Sequence, residues 1–281
     1  METKPKYHII TFGCQMNKSD SERMEALLRG VGLKSTNEKE KADVILVNTC
    51  SVRQSAEDRI YGLVRGFKAL KEKNPKLIIG ITGCMPGRDR DNKLKRTLSI
   101  VDLYFPTAEM GQLPRWIGEL RPELVNSTDP VEDYLKVKPE YHSKSQAFVS
   151  IQTGCNNFCT YCVVPFARGL EKNRPLADIL NEIKDLAAHG CMEVTLLGQT
   201  VNSYQATDPE NFSNENPYKD HFAALLWEVN QIEGITRLHF TAPHPKHMSD
   251  EVIDAMTLPA HLNFIHIPVQ SGDNEVLRRM N

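Results

Sequence analysis

The sequence predicts an α/β protein made of two successive strand–helix series. Short runs rich in branched aliphatic side chains recur with helical stretches between them, the pattern of parallel sheets covered by helices. A stretch rich in proline, serine and charge, 121–146, interrupts the alternation and reads as a linker or crossover arm. The seven cysteines, an odd number, argue against a disulfide framework and for metal or redox chemistry.

In the first series, residues 1–120, Tyr7–Thr11 (YHIIT) reads as a strand and Ser19–Gly30 as a helix capped by Ser19 or Asp20. Asp43–Asn48 (DVILVN) is a second strand. Ser55–Lys73 follows as a helix, with Ile60, Leu63, Val64, Phe67 and Leu70 at helical spacing. Leu77–Thr82 (LIIGIT) is a third strand and Leu103–Phe105 a short fourth. The second series, 147–281, offers strands at Ala147–Gln152, Glu193–Leu197, Thr236–Thr241 and Asn263–Val269, with helices near Leu176–His189, His221–Ile232 and Ser249–Thr257. Four βα units in a row suit a barrel or a doubly wound sheet. The final NEVLRRMN reads as a helix that has only begun, so the second series is expected to be the first part of a longer domain.

Composition sets the outer limits. Forty per cent of residues are apolar and 25% charged, ordinary for a globular protein, and 281 residues suffice for two domains. No eighteen-residue apolar run exists and the first ten residues lack a secretory pattern, so a cytoplasmic protein with no membrane partner is the expectation. The net charge of −2 gives no overall footprint for nucleic acid; any such contact is local or lies in a missing segment. No Walker-type loop occurs, so ATP chemistry has no support.

Cys155, Cys159 and Cys162 stand in GCNNFCTYCVVPFARG, just past the first strand of the second series, spaced C-x3-C-x2-C. Three thiolates bind three irons of a four-iron cluster and leave the fourth open. An open iron can chelate the amino and carboxylate groups of S-adenosylmethionine (SAM) and pass an electron to its sulfonium, giving a 5′-deoxyadenosyl radical that abstracts hydrogen. The spacing, with Tyr161 before the last cysteine, favours this radical-SAM chemistry. The alternatives are three unrelated buried cysteines or a zinc site, which wants a fourth ligand that no nearby Cys or His supplies.

Cys14, Cys50 and Cys84 each follow a strand of the first series, 36 and 34 residues apart, about one strand–helix repeat each. In a parallel sheet such positions share an edge, so the three thiols are expected to converge on a second cluster with an open iron. The alternative is three small buried residues at strand ends. Cys191, in HGCMEVTLL, reads as a small apolar residue at a helix–strand join. Gln199, Asn202 and Ser203 follow the second strand of the second series and Gln270 the fourth, placed to reach a cofactor or substrate; turn-forming roles are the alternative. Arg168, close behind the cysteine loop, is placed to pair with the carboxylate of SAM or a phosphate; a surface role is the alternative. His244 and His247, beside prolines and without a carboxylate partner, read as loop residues.

The segments TFGCQMNKSDSERM, VNTCSVRQSAEDR, GCMPG, GCNNFCTYCVVPFARG, EVTLLGQTVNSY and PVQSGDNEVLRRMN together resemble the radical-SAM methylthiotransferases over the whole chain. FGCQMN at Phe12–Asn17 is similar to the branch acting on isopentenyladenosine in tRNA. The branch acting on a ribosomal protein typically reads LGCPKN there, and that acting on threonylcarbamoyl-adenosine LGCKVN. The resemblance implies SAM-dependent methylthiolation of C2 of N6-isopentenyladenosine beside the anticodon, by a monomer supplied with electrons by flavodoxin or ferredoxin. It implies an auxiliary 4Fe–4S cluster on Cys14, Cys50 and Cys84, a radical-SAM 4Fe–4S cluster on Cys155, Cys159 and Cys162, and a N-terminal α/β domain followed by a partial (βα) barrel. Two departures stand out. Asn173 occupies a position where serine is common, and the family's remaining barrel and tRNA-binding TRAM domain have no counterpart, so weak tRNA binding is expected. The rivals are the other two methylthiotransferase substrates and, in another class, a non-catalytic iron–sulfur carrier.

Overall fold

The computed structural model describes residues 4–51 and 54–281, with side chains described for 4–51 and 58–281. Met1–Thr3, and Val52 and Arg53 of the second cysteine segment, lie outside the described residues. The chain divides into two compact units, residues 1–140 with 166–168, and residues 141–165 with 169–281.

In the first unit β1 (Lys6–Thr11), α1 (Gln15–Gly30), β2 (Lys34–Ser35), β3 (Val44–Thr49), α2 (Gln54–Lys73) and β4 (Ile78–Gly83) follow in turn. They are succeeded by α3 (Cys84–Arg88), α4 (Lys93–Thr97), β5 (Leu103–Tyr104) and α5 (Leu113–Leu120). The sheet order is β2-β1-β3-β4-β5 with every pair parallel, the flavodoxin-like order. β3 and β4 are buried along their whole length, which explains their unbroken apolar runs. Alternation splits β3 between two cores. Val44 and Leu46 pack with Met24 and Leu28 of α1 and Leu113 and Ile117 of α5. Ile45 and Val47 pack with Ile60, Val64 and Phe67 of α2. Each such side chain contributes roughly 1.5–3 kcal/mol by leaving water.

Two expectations change here. α1 begins at Gln15, not beside Ser19: Cys14 takes the N-cap position, extended at φ −100°, and Ser19 and Asp20 are buried inside the helix. The reason is Gly13, whose φ of +127° makes the turn that lets the helix start at once. The proline-rich stretch 121–146 forms only single turns, at Pro122–Leu124 and Tyr134–Lys136, before a strand begins at its last residue, Gln146, yet it is packed: Leu124, Tyr134 and Leu135 join the core under α1 and α5.

The second unit holds β6 (Gln146–Ser150), β7 (Gln152–Thr153), α6 (Val164–Arg168, its last three residues counted with the first unit), β8 (Lys172–Asn173) and α7 (Leu176–Ala188). Beyond these come β9 (Glu193–Leu197), α8 (His221–Asn230), β10 (Arg237–Phe240), α9 (Asp250–Ala255) and α10 (Asn274–Met280). β6, β9 and β10 pair in parallel and in sequence order, each new strand adding outside the last, as in a barrel. β7 and β8 form a small antiparallel pair. Ala147, Val194 and Leu238 meet the helices, so their strand neighbours Phe148, Thr195 and His239, in mutual register, face the other way. The expected strand Asn263–Val269 does not form; a single parallel bridge, Leu238 to His261, marks its approach to β10. Its backbone turns on itself, Phe264 N–H bonding to Leu262 O and Ser271 N–H to Val269 O, and Pro268 has no N–H to give a ladder.

The rings of His239 and His261 stand 6.5 Å apart, flanked by Phe240 and Phe264. Burial lowers the pKa of both, and for His261 the facing His239 lowers it further. The unfolded chain protonates both near the ordinary histidine value of about 6.5, the folded chain only at lower pH. Their contribution to stability is therefore complete above the unfolded value and is lost as pH falls toward the folded ones. The thermal midpoint should drop as pH is lowered from about 7.5 to about 5.5, with a smaller drop in His261→Gln. An unchanged slope in that variant would contradict the assignment.

Candidate metal centres

β1, β3 and β4 are neighbours in the sheet, and Cys14, Cys50 and Cys84 follow their C-terminal ends on one edge, where strand order reverses between β1 and β3. The loops touch. A Cβ built on Gly13 would stand 3.0 Å from Cys50 Cβ, and one on Gly83, φ +99°, 2.3 Å from Thr49 O. Glycine at both positions permits this approach. A polar chain links the same loops. Asn17 Oδ1 accepts from the Cys14 N–H and Sγ–H, both at 3.4 Å, while its Nδ2 donates to Asn48 Oδ1 at 3.0 Å and Thr49 O at 3.1 Å. Thr49 Oγ1 donates to Thr82 O at 2.6 Å and accepts from Met85 N–H at 3.2 Å. Cys50 and Cys84 are buried and Cys14 is exposed.

Arg168 belongs to this group. Expected to meet an external anion, it is instead buried in the first unit, with Nη2 2.6 Å from Asp20 Oδ2. Burial alone would lower its pKa, but Asp20, together with Cys84 and Tyr134, outweighs burial and holds it well above the ordinary value. Burial pushes the Cys84 thiol up, Arg168 beside it pulls the thiol down, and Asp20 and Cys50 push it up again.

The second set forms one loop. Gly154, φ +78°, lies so close to Leu170 O that a Cβ would stand 2.0 Å from it, and Cys155 N–H bonds to Gly169 O at 3.2 Å, closing the loop at its base. Thr200 Oγ1 is 3.3 Å from Cys155 Sγ and accepts from Asn157 Nδ2 at 3.2 Å; Asn157 N–H points to the same sulfur at 3.4 Å. Cys162 N–H bonds to Cys159 O at 2.8 Å. Burial raises the Cys162 thiol, and the nearby Cys159 and Cys155 raise it further. Tyr161 donates to Gln270 Oε1 at 2.7 Å.

The remaining candidates divide. Asn202 is buried and braces two loops, donating to His244 O at 2.9 Å and accepting from His244 N–H at 2.7 Å. Ser203 donates to Glu171 Oε2 at 2.7 Å. Gln199 retains a buried Oε1 with no partner among the described residues. Cys191 sits in the second core, its thiol donating to Glu193 O at 3.3 Å. Sequence reasoning missed Asn17, Thr49, Asn157 and Thr200. All four lie inside the quoted segments, and a helix start at Gln15 would have exposed Asn17 as its third residue.

Among the described residues no three His, Cys, Asp or Glu side chains converge where one ion could sit. Ligands of a single zinc lie about 2.3 Å from it, whereas thiolates that take different irons of a cluster stand further apart. Three thiols on adjoining turns in the first set, and three within one loop in the second, have the donor chemistry of a cluster site. In the first set Arg168 Nη1, buried with no partner among the described residues, additionally offers a charged donor to an anionic group.

Residues 6–106 match the uncharacterized protein family UPF0004, and residues 149–281 match the radical SAM superfamily. The chain is 44% identical over 98% of its length to a tRNA-2-methylthio-N(6)-dimethylallyladenosine synthase of Thermoanaerobacter sp. (strain X514), of which it covers 58%. It is 41% identical over 99% of its length to the protein of that name from Clostridium tetani, covering 61% of it. The chain thus spans about 60% of the length of these relatives. The radical SAM methyltransferase TsrM from Kitasatospora setae, bound to tryptophan and a SAM analog, superposes with a TM-score of 0.55 at 12% identity, over 98% of this chain and 61% of TsrM. At that identity the likeness concerns the fold alone.

Asn17 is the hub of the polar chain in the first set. Asn17→Ala leaves the buried acceptors Asn48 Oδ1 and Thr49 O without this donor, at roughly 1–3 kcal/mol each. Urea unfolding followed on the first unit should show a loss of about 2–6 kcal/mol. A loss below about 1 kcal/mol would mean the loops are held by something else.

Proposed function

We propose that this chain, which belongs to the radical-SAM methylthiotransferase family, catalyses methylthiolation of C2 of N6-isopentenyladenosine beside the anticodon of tRNA. The reading is carried by 40–44% identity to synthases of that name across nearly the whole chain. The two sets of three cysteines give it its chemistry: Cys155, Cys159 and Cys162 hold the radical-SAM 4Fe–4S cluster, and Cys14, Cys50 and Cys84 the auxiliary one. When bound, the first cluster supplies the electron that converts SAM to a hydrogen-abstracting radical, and the second presents the sulfur. Residues 1–120 carry the auxiliary set and 147–281 the radical-SAM set. A cytoplasmic one-electron carrier of the flavodoxin or ferredoxin type serves as donor to the monomer.

The chain's own groups have definable tasks. Thr200 and Asn157 hold the Cys155 sulfur in one orientation, which would present it to a cluster iron. Gly154 and the Cys155–Gly169 bond close the loop that presents all three thiolates. Gln199 Oε1, buried with its acceptor capacity free among the described residues, is available to accept a bond from the SAM ammonium or the adenine. Asn202 and Ser203 keep that segment in position.

Anaerobically reconstituted protein should hold about eight irons and eight sulfides per chain, falling to about four of each in Cys50→Ala and likewise in Cys155→Ala. Only the second variant should abolish release of 5′-deoxyadenosine. Cells lacking the protein should accumulate isopentenyladenosine without its methylthio group in total tRNA nucleosides. If the methylthio group persisted there while threonylcarbamoyl-adenosine lost its own, the substrate would be reassigned within the family.

A further inference from the structure

The ion pair between Arg168 and Asp20 is 2.6 Å long, its side chains 3% and 2% exposed. A pair buried this deeply contributes little net stability, because desolvating both charges offsets their attraction. Packing alone therefore does not account for it. The pair also leaves a donor over. Nη2 meets Asp20, while Nη1 is buried with no partner among the described residues. A charged donor so placed is costly until an acceptor reaches it. The segment carrying Arg168 packs on the turn after Cys84, where a Cβ on Gly87 would stand 2.0 Å from Ala167 O, and Arg168, Asp20 and Cys50 all act on the Cys84 thiol. Thiolate-ligated clusters are anionic, and their reduction potentials respond to nearby charge and to N–H donors at their sulfurs.

We propose that Arg168, held in place by Asp20, is a positioning residue that offsets negative charge at Cys84 and so raises the reduction potential of the cluster bound there. This rests on Cys14, Cys50 and Cys84 being the ligands of that cluster. Arg168 acts through the Cys84 sulfur and not by binding SAM or tRNA. Asp20 anchors the guanidinium and cancels part of its field, so the two residues pull the potential in opposite directions.

The full chain carrying Cys155→Ala, Cys159→Ala and Cys162→Ala retains only the first set of thiols. Reconstituted with iron and sulfide and titrated anaerobically with dithionite, its cluster can be followed by electron paramagnetic resonance. On this background Arg168→Gln should weaken one-electron reduction at least tenfold, a shift of about 59 mV to more negative potential. Asp20→Asn should shift it to more positive potential, Arg168→Lys should keep most of the background value, and Arg168→Gln with Asp20→Asn should return close to it. A background protein without iron overturns the ligand assignment and this inference with it. About four irons per chain with a potential unmoved by either single substitution overturns the inference alone. Should Arg168→Gln hold no cluster, the sign for Asp20→Asn decides: a positive shift upholds the charge role, and no shift or a negative one overturns it.

Discussion

The chain of hydrogen bonds from Cys14 through Asn17 to Asn48 and Thr49, and on to Thr82 and Met85, is the interaction on which the first set of thiols depends. A parallel sheet delivers three strand ends to one edge, but strands stand about 4.8 Å apart and their loops are free to diverge. Buried amide and hydroxyl groups prevent this, because each needs a partner and finds it on the neighbouring loop. Gly13 and Gly83 supply the remaining condition, letting backbones approach where a side chain would collide.

The two cysteine sets are framed by different chemistry. The first has a buried ion pair beside Cys84 and little solvent at Cys50 and Cys84. The second is framed by neutral groups, Thr200, Asn157 and backbone amides, with Cys159 and Cys162 half-exposed. Neutral donors orient a thiolate without strongly altering its charge balance, whereas a guanidinium in a low-dielectric setting alters both. Under the proposed assignment, the cysteines for the cluster that must admit SAM lie in the more solvent-open loop. The cluster that presents sulfur sits where charge is fixed by the fold.

Much of this was legible in the sequence because it rests on local patterns. Strands β1, β3, β4, β6, β9 and β10 announce themselves by apolar runs, and each cysteine of the first set by its place after one of them. What was not legible depends on partners distant in sequence. Asn263–Val269 has the composition of a strand, but a strand exists only where a neighbour completes its ladder, and here one bridge forms. Ser19 and Asp20 have the composition of a cap, but Gly13 and Asn17 start the helix earlier and turn Asp20 inward. Arg168 could not be read at all: its partner lies 148 residues away.

That misreading of Arg168 carries a general point. Next to a cysteine loop, an arginine suggests an anion from outside, because an exposed guanidinium gains by pairing with phosphate or carboxylate. Burial reverses the logic. Once Arg168 is enclosed, it must be paired within the protein or it would not stay there charged. Asp20 meets that requirement with one carboxylate oxygen against Nη2 and leaves Nη1 pointing elsewhere. A fold that needed only to neutralise Asp20 could do so with a smaller group or dispense with both charges. Retaining a forked, five-donor cation beside Cys84 makes physical sense when the fork has a second anionic client, and the Cys84 thiol that it acts on is able to become one.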